Sequence, residues 1–217
     1  MRVSPVVVCL IAVTASLLAV GTPQSQAASG AAQLDYVVFR DGEPVGRHVI
    51  EFNRQGDSTN VKITTHVAVK LAFITVYRFD HSGVESWKGN HLLSMKSETY
   101  DDGTSHQLSV TSEGDHLSVA ADGTQSDAPA AILPASLWQA GTVHQSSLLN
   151  TLDGTVMRVS VRDEGEDLLN TDGKSFPAHH YKMSGGLQRE LWFDKSNTLV
   201  RLQFAAKDGS NIVYQLR

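Results

Sequence analysis

The dipeptide Asp-Gly occurs six times in this 217-residue chain, at Asp41-Gly42, Asp102-Gly103, Asp122-Gly123, Asp153-Gly154, Asp172-Gly173 and Asp208-Gly209. Both residues tolerate positive φ, which the tight turns of β-hairpins require, so each pair marks a place where two antiparallel strands can be joined. Gly89-Asn90, Gly114-Asp115, Ser82-Gly83 and Ser196-Asn197 are further turn candidates. The spacing between turns is short, which favours neighbouring antiparallel strands and leaves little room for helical crossovers.

The residues between the turns alternate with period two. Val61, Ile63 and Thr65 oppose Lys62, Thr64 and His66; Val200, Leu202 and Phe204 oppose Arg201 and Gln203; Ile212, Tyr214 and Leu216 alternate with Val213 and Gln215. One buried face and one wet face is the usual antiparallel arrangement. The pattern predicts an all-β chain of about twelve strands in a single antiparallel sheet. A twisted sheet of that size curls, giving a half-barrel or a closed barrel. Residues 34–217 read as one β domain. The stretch 128–152 breaks the alternation: it holds Pro129, Pro134, Ile132-Leu133 and Leu137-Trp138, and is read as a short helix plus loop, acting as a lid or a plug.

The N-terminus reads as a cleavable signal peptide over 1–27. Arg2 precedes a mainly apolar run from Val6 to Val20, and Ser25-Gln26-Ala27 offers small residues for cleavage after Ala27. That run is shorter than the roughly 20 residues of a spanning helix, so no transmembrane segment is expected in the mature chain. Residues 28–33 read as a flexible start. Cleavage removes Cys9, the only cysteine, and so excludes disulfides and thiolate chemistry from the mature protein. The net charge of −5 has no basic cluster behind it, which makes nucleic acid a poor partner. The expected location is the periplasm or the exterior.

No catalytic motif stands out. The nine histidines lack His-x-His or His-x3-His spacing, and His179-His180 would point to opposite faces of a strand. No Gly-x-Ser-x-Gly elbow is present. No cofactor or metal is expected. The densest block of chemistry is Tyr77-Arg78-Phe79-Asp80-His81 followed by Glu85-Ser86-Trp87. Tyr77, Phe79 and His81 should share one strand face, with Arg78 and Asp80 on the other; the aromatic face reads either as a ligand wall or as core aromatics backed by surface ion pairs. A second aromatic pair of segments carries His179, Tyr181 and Trp192, with Tyr181 and Trp192 expected on the same side if the segments form a hairpin. The candidate ligand-binding residues are therefore Tyr77, Arg78, His81, Glu85, Trp87, Trp138, His179, Tyr181 and Trp192. An enzymatic alternative would draw on His81, Glu85, Asp101 and His179.

Several segments together resemble an uncharacterised bacterial family, domain of unknown function 6134. They are Val76-Tyr77-Arg78-Phe79-x-His81-x3-Glu85-x-Trp87-x-Gly89, Ser97-x-Thr99-x-Asp101-Asp102-Gly103 and Leu191-Trp192-Phe193-Asp194, with the opening Phe39-Arg40-Asp41-Gly42-x3-Gly46 and the ending Asp208-Gly209-Ser210 with Tyr214. Leu137-Trp138-Gln139 stands where such members usually show Trp-Asn. The resemblance implies an exported envelope protein with a curled sheet, more distantly similar to lipoprotein-carrier-like half-barrels whose concave face holds acyl chains. The ligand reading, a lipid or other hydrophobic molecule, stands beside an envelope structural or assembly role exercised through a protein partner.

Overall fold

The computed structural model describes residues 32–171 and 173–217, so the signal-peptide reading and most of the expected flexible start lie outside the described residues. Eight strands follow one another as a meander: β1 (Ala32–Arg40), β2 (Glu43–Gln55), β3 (Ser58–Leu71), β4 (Ile74–Lys88), β5 (His91–Asp101), β6 (Thr104–Ser112), β7 (His116–Ala121) and β8 (Thr124–Pro129). Then come β9 (Leu133–Pro134), a 3-10 helix (Ala140–His144) and β10 (Ser147–Leu149). The chain ends with β11 (Val156–Thr171), β12 (Lys174–Gly185), β13 (Arg189–Phe193), β14 (Leu199–Ala205) and β15 (Asn211–Leu216).

All fifteen form one sheet in the order β8-β7-β6-β5-β4-β3-β2-β1-β15-β14-β13-β12-β11-β10-β9. Every pairing is antiparallel except the short β9–β10 contact, which is parallel. β8 and β9 are the two sheet edges and do not pair, so the sheet curls without closing. Only residues 130–132 separate them in the chain, which keeps Pro129 and Leu133 within about 14 Å of each other. The all-β, curled-sheet expectation holds.

The strand count differs for local reasons. Ser82-Gly83 is not a turn: Gly83 lies inside β4, opposite Ile63 and Ser97, so one long strand replaces two shorter ones. Residues 124–129 add an edge strand and 128–152 contributes two very short ones. Three Asp-Gly pairs do make two-residue hairpin turns, with positive φ at both residues: Asp41 (50°) and Gly42 (88°), Asp102 (44°) and Gly103 (102°), Asp122 (48°) and Gly123 (83°). That double left-handed geometry matches the twist of the flanking strands.

The strands pack in two main apolar groups on the inner face. One gathers Tyr36, Ile50, Phe52, Val61, Ile63, Trp87, Met95, Leu108, Val110 and Val119 from the first half of the sheet. The other gathers Val159, Met183, Leu191, Phe193 and Leu202 from the second half. Residues 128–152 fill the space between them. Ile132 and Leu149 join the first group, Leu137, Val143 and Leu148 join the second, and Leu133 touches both. The stretch is therefore core, with a 3-10 helix of five residues as its helical part.

β2 and β3 approach closely at Gly46, which faces Val67. A Cβ built on Gly46 would sit 2.2 Å from the His66 carbonyl oxygen and 2.9 Å from Val67 Cα. Backbone atoms cannot swing aside as a flexible side chain can. Gly46→Ala is therefore expected to destabilise the fold by about 2–3 kcal/mol, read as a lowered denaturant midpoint with unchanged slope.

Candidate functional site

Strand register assembles a polar row on the inner face that no single segment contains. Tyr36 lies opposite His48, His48 opposite Thr65, Thr65 opposite His81, His81 opposite Thr99, and Thr99 opposite His106. Each is in phase with apolar neighbours of its own strand, so each points inward: His48 with Ile50 and Phe52, Thr65 with Val61 and Ile63, Thr99 with Met95. The next row toward the chain's interior plug is mainly apolar, with Leu34, Ile50, Ile63, Gly83, Ser97 and Leu108 in register.

The row is internally bonded. His48 Nδ1 and Thr65 Oγ1 are 2.7 Å apart, and His81 Nδ1 and Thr99 Oγ1 are also 2.7 Å apart. Burial favours the uncharged imidazole and pulls His48 down to about 4, with the neighbouring His81 adding to the effect; burial likewise pulls His81 down to about 4. Both rings are thus neutral near pH 7. Glu85 Oε1 and Arg201 Nε are the buried side-chain nitrogen and oxygen atoms that lack a partner among the described residues. The Nε2 atoms of His48 and His81 are not among them, and neither has a hydrogen-bond partner there, so both remain open on the inner face.

Aromatic rings flank the row. His48 sits between Tyr36 and Tyr214, with ring centroids 5.5 and 5.3 Å away, and His81 stacks on Phe79 at 6.4 Å. Tyr36 donates its hydroxyl to the Leu199 carbonyl at 2.7 Å. Tyr77 donates to Asp101 Oδ1 at 2.9 Å, and burial together with that carboxylate holds its phenol above the ordinary range. Burial pushes the Tyr214 phenol up to about 12, against the pull of Arg189 nearby.

Beyond the apolar row lies a carboxyl group in the core. Glu85 is 1% exposed, and its Oε2 accepts from Trp87 Nε1 and from Trp138 Nε1, each at 2.9 Å. Burial raises its pKa, while donors on Trp138, Ser136 and Trp87 pull the other way. Trp138 also meets Phe52 and Trp87 edge-on, at 5.2 and 5.9 Å between ring centroids. Glu85 thereby pins the plug segment to β4.

The nine candidate residues fall into separate places. Tyr77 and His81 join the inner-face row and its rim. Glu85, Trp87 and Trp138 form the core cluster. Arg78 lies on the outer face with Asp80, as its phase predicts. His179 and Tyr181 stack at 4.8 Å in a cleft of about 250 Å³ between β12 and the 3-10 helix, where His144, Glu166, Asp194 and Lys195 also contribute. His179 Nε2 is 2.6 Å from Asp163. Trp192 corrects the expectation that it shares a side with Tyr181. Tyr181 is opposite Leu191, whereas Trp192 is opposite His180, so the two rings lie on opposite faces. Trp192 stacks on His180 at 4.2 Å and donates to Asp167 at 2.8 Å. Among His81, Glu85, Asp101 and His179, none is hydrogen-bonded to another. No group of three metal-ligating side chains occurs among the described residues.

Tyr36, His48, Thr65, Thr99, Arg189 and Tyr214 are not among the candidate binding residues that the sequence suggests. Their signal is present but quiet: polar residues in the apolar phase of their strands.

The model of the family called "domain of unknown function (DUF6134)" matches residues 36–217. The chain belongs to that family. No curated protein matches it. Among solved structures it is similar to a β-barrel-like protein of domain of unknown function DUF1849 from Brucella abortus, with a TM-score of 0.60 at 9% identity, covering 85% of this chain and 94% of that one. At that identity the likeness is one of fold. In the DUF6134 chain described here, no helix among the described residues is long and apolar enough to cross a membrane.

Proposed function

We propose that this member of the family is an exported, periplasmic binding module that holds a hydrophobic or amphipathic ligand against the concave face of its half-barrel. The observation that carries the reading is the row from Tyr36 to His106. It offers the uncharged imidazoles of His48 and His81, each with an open Nε2, beside the hydroxyls of Thr65 and Thr99, set among aromatic rings and above an apolar layer. Such a wall suits a ligand with an apolar body and one polar end, because the rings supply contact area and the few polar atoms fix orientation. Export rests on the N-terminal pattern of Arg2, the apolar run and Ser25-Gln26-Ala27.

Native mass spectrometry of protein purified from its exported form is the direct test. A bound mass that organic extraction removes is the expected result. A clean apo mass, together with no uptake of an apolar fluorescent probe, would overturn the reading.

A partner-docking role has one observation in its favour. At the tip joining β3 to β4, Phe73 is fully exposed, and Leu71 and Ile74 are 72% and 70% exposed. Exposed apolar side chains concentrated on one hairpin are unusual for a surface that meets only water. Photocrosslinking from position 73 in the envelope should then recover one specific protein; recovery of none removes this alternative.

A further inference from the structure

Arg189 opens β13 on the inner face, and its environment sets it apart from the other cations. Its guanidinium carbon lies 3.8 Å from the centroid of the Phe204 ring. Its one hydrogen bond among the described residues is from Nη1 to the Gln188 carbonyl, at 2.7 Å. No carboxylate lies within 4 Å of it among the described residues. By contrast Arg40 pairs with Asp208, Arg47 and Arg217 with Asp35, Arg78 with Asp80, and Arg162 with Glu164, while Arg54 and Arg158, which have no carboxylate partner among the described residues either, are exposed to water. Arg201, the other largely buried guanidinium, is on the opposite face over Trp192 and bonds Gln203.

Arg189 also sits beside the polar row. Phe204, beneath the guanidinium, is 6.3 Å from the Tyr214 ring, and Tyr214 is 5.3 Å from His48. A desolvated cation normally acquires a counter-charge, because burial without one is unfavourable. Here the chain supplies none, and the facing groups are neutral hydrogen-bond donors and acceptors.

We infer that Arg189, on Phe204 and near Tyr214, is the docking point for the singly charged head of an amphipathic ligand, a carboxylate at the end of a long acyl chain. This rests on the ligand-binding reading above and adds the charge and the orientation of the ligand. One guanidinium balances one negative charge, and its planar fork matches a carboxylate in bidentate geometry. The acyl chain would lie toward the aromatic and apolar side chains, leaving the head at Arg189.

The test compares a fluorescent long-chain polyene fatty acid with the matching primary alcohol, titrated into the parent protein and into Arg189→Met and Arg189→Lys. The parent should bind the acid roughly tenfold or more tightly than the alcohol, since a charge-assisted hydrogen bond discriminates by about that factor. Arg189→Met should bind both equally, with its affinity for the alcohol retained, which also shows that the fold is intact. Arg189→Lys should keep part of the preference. Equal binding of acid and alcohol by the parent, or a preference that survives in Arg189→Met, would overturn the Arg189 site while leaving the ligand reading standing. Binding of neither compound to the parent would overturn both. If Arg189→Met loses the alcohol as well, Arg189→Lys decides: a retained preference supports the site, and an absent one overturns it.

Discussion

Glu85→Ala is expected to cost about 3–5 kcal/mol of folding stability, the largest single-residue effect anticipated in this fold. The truncation leaves two indole N–H groups, on Trp87 and Trp138, without an acceptor in the core. Each stranded donor costs about 1–3 kcal/mol, and the vacated volume adds a cavity term. Glu85→Gln should cost only about 1–2 kcal/mol, because the amide oxygen can still accept from both indoles. Trp138→Phe removes one donor and keeps most of the ring's contact with Phe52 and Trp87, and should fall between the two. Denaturant unfolding of the four proteins gives the ranking. If Glu85→Ala were no less stable than Glu85→Gln, the carboxyl would not be the anchor of the plug segment.

The stabilising contribution of His48 and His81 should also be lost on mild acidification, about 4 kcal/mol between pH 7.5 and pH 5 for the two together. His48 and His81 each have a folded-state pKa of about 4 against an unfolded value near 6.5. The unfolded chain therefore takes up protons first, and their stabilising contribution is complete above about 6.5 and is lost as pH falls toward 4. At pH 5 the loss is about 2 kcal/mol per residue. That is a large share of the 5–15 kcal/mol typical of a domain. The groups facing the two rings are Thr65, Thr99, Tyr36, Tyr214 and Phe79, none of them a carboxylate that could compensate. Glu85 acts in the opposite sense: its raised pKa means that protonation relieves a penalty as pH falls. A His48→Gln/His81→Gln double variant should lose most of the slope between pH 7 and pH 5, whatever its stability at neutral pH. An unchanged slope would mean that the rings are solvated in the folded state.

The sheet was legible because its determinants are local. Asp41-Gly42, Asp102-Gly103 and Asp122-Gly123 take positive φ from their own covalent geometry, and alternation such as Val61, Ile63 and Thr65 reports which face is buried. Tyr77, Phe79 and His81 sharing a face, with Arg78 and Asp80 on the other, follows from the same period of two. Other features depend on non-local contacts. Ser82-Gly83 looks like a turn in isolation, but the ladders from β3 and β5 on either side hold it extended. Tyr181 and Trp192 could not be assigned to faces without the register of their hairpin, and a shift of one residue exchanges the faces.

By itself the sequence determined an all-β chain, its Asp41-Gly42, Asp102-Gly103 and Asp122-Gly123 hairpin turns, and the period-two alternation along strands such as β3. Only the tertiary structure decided which polar residues meet. His48, His81 and His106 are far apart in the chain and become one row because five strands align in register. Glu85 finds Trp138 across 53 residues, and Arg189 lies beside Phe204 and Tyr214 with no carboxylate within reach among the described residues. Turn chemistry and alternation are set by neighbours along the chain, whereas register and burial are set by packing between strands, which a linear pattern does not encode.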